Sequence, residues 1–456
     1  MKAMLQRLFN VRRDEVLPVF LAVTFFFCVL VALMILRPAR EALGLRGGID
    51  AVRWLFMGTA LITLLVNPVF GLLVSRLPRL HFITATYAFF ACSLVGFYLL
   101  LVLAPEAVGV VSGQLFYVWF SVFNLFATMV FWALMADRFS LAQGKRFFGL
   151  IAVGGTLGAI AGPWLAARLA APLGTPALLL LSSAFLLGAL AAAWGVARCR
   201  RAPTAAGPRG DDGMDDEQAP AVDERELIGG SAWEGVRAVC RSRYLLGMAA
   251  YVVILAIMAT FLYFTRLQMV AALGDDLDLR TTVFARIDLI TQIATLVLQA
   301  LVAGRLMQRV GVPITLALLP LTTALGFIGL ALVGSLAALI AFEALFRAVQ
   351  RALMRPARET LYTVTSRADK YKSKAFIDTF VYRAGDVVGA QLEGLLGRLG
   401  MGLAALASVA IPLALAWAAL ALWLGRTQQR IAAAPAGNAP PAPAHPTTTP
   451  MRRSST

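Results

Sequence analysis

Glu343, Arg347 and Arg351 recur four residues apart inside an apolar stretch, and Arg355 follows one step further on. Four-residue steps place such a row along one face of a helix. An arginine near the centre of a bilayer costs at least about 2.5 kcal/mol on insertion scales, so Arg347 needs a purpose there. Arg347 and Arg351 can present planar forks to phosphate or carboxylate. The structural alternative is a Glu343/Arg347 pair buried for packing.

Other polar groups sit in similar surroundings. Arg286 and Asp288, with Gln292 and Gln299 on the Asp288 face, interrupt one apolar run, and Asp378, Tyr382, Arg383 and Asp386 interrupt another. They read equally as ion pairs that open and close or as ligand contacts, and Asp288 could instead carry a proton. Gln114, Tyr117, Ser121, Asn124 and Thr128 fall within an arc of roughly 80° on one helix, a water-facing wall or a set of helix-to-helix hydrogen bonds. Arg37/Arg40 in LRPAREALGL (36–45) and Arg355/Arg358 in MRPARETLYT (354–363) repeat one module. The expected solute contacts are Arg347, Arg351, Asn124, Gln114, Tyr117, Arg37 and Arg40. Coupling or gating falls to Asp288, Arg286, Glu343, Asp378, Arg383, Asp386, Asp137, Lys145, Arg146, Arg355 and Arg358.

These charges stand out because there are so few. The chain is 59% hydrophobic and 14% charged, with a mean hydropathy of +0.77, which excludes a soluble core under a polar surface. A net charge of +16 raises nucleic acid as a partner, but the basic residues form short clusters between apolar runs, as where cytoplasmic loops meet anionic lipid. No nucleic-acid partner is expected. Four cysteines without ligand spacing and two histidines, His81 and His445, leave no material for structural zinc, haem or a Ser/His/Asp triad. No cofactor, metal or catalytic residue is expected.

About twelve runs approach the roughly 20 residues that a 30 Å hydrocarbon core demands: 16–36, 52–75, 81–103, 109–136, 147–170, 174–197, 246–267, 281–304, 313–334, 336–354, 375–397 and 401–425. The first is too long for a signal peptide and ends in Arg-Pro-Ala-Arg, so it is read as a retained helix. Alternate loops carry Arg76/Arg79, Arg138/Lys145/Arg146, Arg198/Arg200/Arg201, Arg305/Arg309, Arg367/Lys370/Lys372/Lys374 and Arg426/Arg430. The positive-inside bias puts these loops and both termini in the cytoplasm, against Arg37, Arg40, Arg46 and Arg53 as the exception.

The expected fold is an all-α membrane protein of twelve transmembrane helices in two six-helix bundles, spanning 1–197 and 246–425. Between them, 198–245 is a flexible cytoplasmic linker ending in a short amphipathic helix with Trp233, Val236, Val239 and Cys240 at helical spacing. The tail, 426–456, is expected to be disordered and cytoplasmic. Gly149, Gly154, Gly155, Gly158 and Gly162, with Pro163, permit close helix packing and a bend. Asp137, in the loop ADRFSLAQGKRFFG, is placed to latch onto helix ends or arginines of the neighbouring bundle. KRFFGLIAVGGTLGA (145–159) and KAFIDTFVYRAGDVVGA (374–390) show weak similarity between the halves.

Three long stretches carry a resemblance: FFFCVLVALMILRPAREALGLRGG (25–48), SVFNLFATMVFWALMADRFSLAQGKRFFGLIAVGGTLGAIAGP (121–163) and RPARETLYTVTSRADKYKSKAFIDTFVYRAGDVVGA (355–390). In order and in both halves, they resemble the bacterial branch of the ATP/ADP translocase family, whose members are similar to major facilitator proteins. That resemblance implies a nucleotide antiporter with basic residues near phosphate. Its members use lysines and glutamates within spans, where this chain has arginines and aspartates.

The expected function is secondary transport by alternating access: exchange of an anionic solute such as ATP/ADP by a monomer in a bacterial inner membrane. Alternatives are proton-coupled movement of another organic anion or drug-like compound, and a transporter fold serving as a membrane sensor or assembly partner.

Overall fold

The computed structural model describes residues 15–76, 79–103, 106–199, 232–365, 373–374, 376–400 and 402–433. The expected flexible linker and terminal tail fall largely outside these residues. Every regular element described is helical.

The first half contains α1 (Val16–Leu45), α2 (Gly48–Arg76), α3 (Arg79–Leu103), α4 (Glu106–Arg138), α5 (Leu141–Leu173) and α6 (Thr175–Arg198). A short α7 (Ala232–Arg241) leads into the second half: α8 (Arg243–Ala271), α9 (Leu277–Leu298), α10 (Gly304–Val333), α11 (Leu336–Val349), α12 (Arg355–Leu361), α13 (Tyr382–Arg398) and α14 (Leu403–Ala433). With α11 and α12 forming one crossing, the molecule is an all-α membrane protein of twelve transmembrane helices in two bundles of six. The side where α1 begins is called the near side below, and its opposite the far side.

Nine of these helices qualify as membrane spans on length and apolarity alone. Among the described residues, α2, the α11/α12 crossing and α13 do not. One π-helical turn, Gln350–Met354, joins α11 to α12, a second, Ile377–Val381, leads into α13, and a third, Gln299–Ala303, follows α9. Such turns insert an extra residue and recur at functional sites.

Two expected boundaries move. The first helix runs on through Pro38 to Leu45, so Arg37 and Arg40 lie within it instead of in a loop beyond it. The last helix continues to Ala433, into the stretch read as disordered. In α7, Val239 is buried as expected, but Cys240 is exposed, off the apolar face; the side chain of Trp233 lies outside the described residues.

Glycine sets the closest packing within each half. A methyl group at Gly154 or Gly158 of α5 would come within 2.6 Å of the Val23 carbonyl oxygen or 2.5 Å of the Phe27 carbonyl oxygen, so α5 meets the backbone of α1 directly. The equivalent pair in the second half is α13 against α8, where a methyl group at Gly385 would lie 2.7 Å from the Ala256 Cβ.

The halves meet along α9, which packs against α1 and α5, and where α2 touches α13. Toward the far side an apolar cluster draws Ala42, Leu45, Val52 and Tyr117 from the first half against Phe264, Leu267, Val270, Phe284, Ile287 and Ala390 from the second. Burying apolar surface from both halves stabilises their contact there.

Candidate functional site

Beside this cluster lies a chain of alternating charges. Arg266 of α8, 1% exposed, is its centre. Its guanidinium reaches Glu41 of α1 at 3.6 Å, Asp288 of α9 at 3.5 Å and Glu343 of α11 at 3.2 Å. Each carboxylate has a second cation: Arg40 is 3.0 Å from Glu41, Arg37 is 3.5 Å from Asp288, and Arg347 donates to Glu343 at 2.8 Å. Four arginines therefore neutralise three buried carboxylates, which individually would be costly to bury.

The chain joins the halves. Arg37–Asp288 and Glu41–Arg266 cross between them, as does the Tyr263 hydroxyl, which donates to Glu41 at 2.6 Å. Tyr117 of α4 shares a hydrogen bond with Tyr263 at 2.7 Å, and the Arg40 guanidinium stacks 3.7 Å above the Tyr117 ring. Further toward the far side, Arg53 of α2 pairs with Glu393 of α13 at 2.8 Å, and Gln268 braces the same carboxylate. The Thr175 amide, at the start of α6, donates to Asp278 at 2.6 Å. The far half of the interface is thus latched by charge and closed by apolar packing.

Below the latch, toward the near side, a cavity of about 440 Å³ is lined by Arg351, Arg355, Arg358 and Arg383, with Gln350, Asp378, Leu255, Met354 and Tyr382 completing its wall. Arg351 is held by the Gln292 side-chain oxygen, and Arg358 pairs with Asp378 at 3.1 Å. Arg383 reaches Asp386 at 3.2 Å, and its side chain remains 44% exposed. Four guanidinium groups against one aspartate give the cavity a positive field suited to an anion. The three apolar side chains offer a second surface for a carbon skeleton.

The helix geometry explains this placement. The expected span ended at Met354, leaving Arg355 and Arg358 at the membrane surface, whereas the α11/α12 crossing continues through the π turn to Leu361. Pro356 has no amide hydrogen to donate to the residue four before it, and the wider turn at Gln350–Met354 absorbs that interruption. Arg351, Arg355 and Arg358 consequently follow one another down the cavity wall.

The expected residues thus separate into two groups. Arg37, Arg40, Tyr117, Asp288, Glu343 and Arg347 meet in the latch; Arg351, Arg355, Arg358, Asp378 and Arg383 line the cavity, with Asp386 behind Arg383. Arg286 does not join Asp288: two residues apart on a helix, they point to different faces, and Arg286 is exposed. The α4 residues do not form one wall, because Tyr117 is fully buried, Gln114 lies against Gly47 and Asn124 is exposed. Arg146 pairs at 2.8 Å with Glu15 beside the start of α1, within its own half. Asp137 is half-buried at the end of α4, and the Lys145 side chain lies outside the described residues.

Glu41, Tyr263, Arg266, Arg53 and Glu393 were not anticipated. The available signal was helical spacing: extending the first helix aligns Arg37 with Glu41, and the end of α8 aligns Tyr263 with Arg266. Among the described residues no group of three or more His, Cys, Asp or Glu side chains could hold a metal ion.

Comparison with known proteins decides the family, since the Major Facilitator Superfamily matches residues 19–346. The chain belongs to that superfamily. No curated protein sequence matches it. Among solved structures, a bacterial homolog to the human lysosomal transporter Spinster, in an inward-facing and unoccupied conformation, is 14% identical over 93% of this chain and 100% of its own, with a TM-score of 0.58. The POT family transporter PepTSo is 12% identical over 91% and 98% of the two chains, at 0.59. The nucleoside transporter NupG is 12% identical over 91% and 99%, at 0.52. These likenesses show the shared fold. The superfamily makes the chain a multi-pass membrane transporter for a small solute, not an enzyme.

Proposed function

We propose that this major facilitator protein moves a small anionic solute by alternating access, with nucleotides such as ATP and ADP as the first candidates. The observation that carries the reading is the cavity of about 440 Å³ whose wall holds Arg351, Arg355, Arg358 and Arg383 against a single aspartate. Planar forks recognise phosphate or carboxylate oxygens in pairs. Leu255, Met354 and Tyr382 provide the apolar and aromatic side that a nucleobase or another organic skeleton requires. The similarity of three long segments to ATP/ADP translocases favours nucleotides within this class, as does the likeness to a structure named as a nucleoside transporter.

In this reading, 1–197 and 246–425 rock about the solute, joined by the 198–245 linker; 426–456 is the cytoplasmic tail. The near side is cytoplasmic, the protein works as a monomer in a bacterial inner membrane, and the present state is closed toward the outside by the latch around Arg266. Solute entering from the near side meets Arg355, Arg358 and Arg383 first, then Arg351. Arg347 stands one helical turn above Arg351 and joins cavity to latch.

The test uses proteoliposomes loaded with ADP and given labelled ATP outside. The expected result is exchange that Arg351→Ala abolishes without loss of folded protein. Exchange of a different organic anion, with none of nucleotides, would remove nucleotides and keep the class. Absence of transport for every anionic solute offered would overturn the proposal.

A further inference from the structure

Asp386 is 5% exposed on α13, and its partners are the Arg383 guanidinium at 3.2 Å and the Thr260 hydroxyl of α8 at 3.5 Å. Arg383 also lines the cavity, so the group that neutralises Asp386 is the one an incoming anion would take. The other buried carboxylates differ in this respect. Asp288 and Glu343 each keep Arg266 if Arg37 or Arg347 is drawn away. Glu393 pairs with Arg53, outside the cavity, and retains Gln268. Asp378 is 29% exposed, so water can take over from Arg358.

Among the described residues, the elements packed against Asp386 bring it no replacement cation. From α8 it meets Thr260, which is uncharged. The nearest cation described on α2, Arg53, is committed to Asp50 and Glu393. Along α14 there is no charged residue from Leu403 to Gly425, and Arg426 and Arg430 lie at its near end. On its own helix, Glu393 is two turns beyond, while Asp378, in the π turn before it, is paired with Arg358. A buried carboxylate left with one neutral hydroxyl takes up a proton in preference to staying ionised.

We propose that Arg383 and Asp386 form a proton-coupling switch: an anion that binds Arg383 displaces Asp386, which then takes up one proton from water, so solute and proton occupy the carrier together. Arg383 remains protonated throughout and only changes its partner. The proton bonds to a carboxylate oxygen of Asp386 on solute binding and returns to water when solute leaves and the pair re-forms. No covalent bond in the solute changes. This inference rests on the anion-transport reading and assigns its coupling ion.

The test follows protons during ligand binding by purified full-length protein in detergent, with a pH indicator dye in weakly buffered solution. The probe is ADP, or inorganic pyrophosphate or citrate if ADP does not bind. Wild type should take up about one more proton per bound probe than Asp386→Asn, with binding retained by the variant. A second readout is the infrared C=O stretch of a protonated carboxylic acid: probe should induce it in wild type, and Arg383→Ala should show it without probe. Equal proton uptake by wild type and Asp386→Asn, or no such band in Arg383→Ala, would overturn the switch and leave anion transport standing. Failure of all three probes to bind wild type would overturn the anion reading and the switch with it.

Discussion

Arg53 and Glu393 stand 340 residues apart in the chain and hold each other at 2.8 Å across the two bundles. Gln268 is the only other hydrogen-bond donor described at that carboxylate, and it belongs to the same half as Glu393. Arg53→Ala should therefore release α2 from α13 without unfolding either bundle. In a background lacking the native cysteines, spin labels at Leu173→Cys and Leu399→Cys should report a longer far-side distance by pulsed electron paramagnetic resonance. An unchanged distance distribution would show that the apolar cluster closes this side unaided.

Arg266 is the single cation shared by Glu41, Asp288 and Glu343. Arg266→Met strands charge in a dry interior, and breaking such a buried network costs about 3–5 kcal/mol. The midpoint of thermal unfolding in detergent should fall clearly, and adding Glu343→Gln should recover part of the loss. A variant as stable as wild type would mean that water already reaches the network.

Arg351 approaches Gln292 with one arm of its guanidinium and faces the cavity. Lysine keeps the charge but loses the fork. Losing one charge-assisted hydrogen bond, about 1.5–3 kcal/mol, corresponds to a loss in ADP affinity of at least about tenfold for Arg351→Lys. Calorimetric titration with ADP measures this directly, and equal affinity would place the solute elsewhere.

Gly158 and Gly149 lie on different faces of α5. A methyl group at Gly158 meets the Phe27 carbonyl oxygen at 2.5 Å, whereas at Gly149 it meets nothing within 4 Å. Gly158→Ala should lower stability by about 1–3 kcal/mol through overpacking, and Gly149→Ala should not lower it. Thermal unfolding of the two variants side by side tests the contact between α1 and α5.

The sequence made the membrane class and the twelve-helix plan legible because the apolar runs are long and charge inside them is scarce. Glu343, Arg347 and Arg351 could also be found, since their four-residue spacing lies well inside one run. Glu41 was missed because it lies beyond the end of the first apolar run, where hydropathy cannot separate a continuing helix from a loop, and Arg266 because it is the only charge in its run, with no charged residue at helical spacing to mark it. Pro38 reinforced the error by resembling a stop, although its helix continues to Leu45. Arg286 shows the converse: it lies two residues from Asp288 but faces away, and closeness in sequence concealed the difference. The pairing of Arg37 with Asp288 joins residues from different halves, so no local pattern could specify it.

The three π-helical turns among the described residues all belong to the second half, and two of them border the cavity. An extra residue in a turn is slack that a helix can take up or pass along by shifting its hydrogen-bond register, while α1 and α5 are seated backbone to backbone. Slack and positive charge therefore fall together: among the described residues, the same half that carries these turns also carries the arginine-lined cavity.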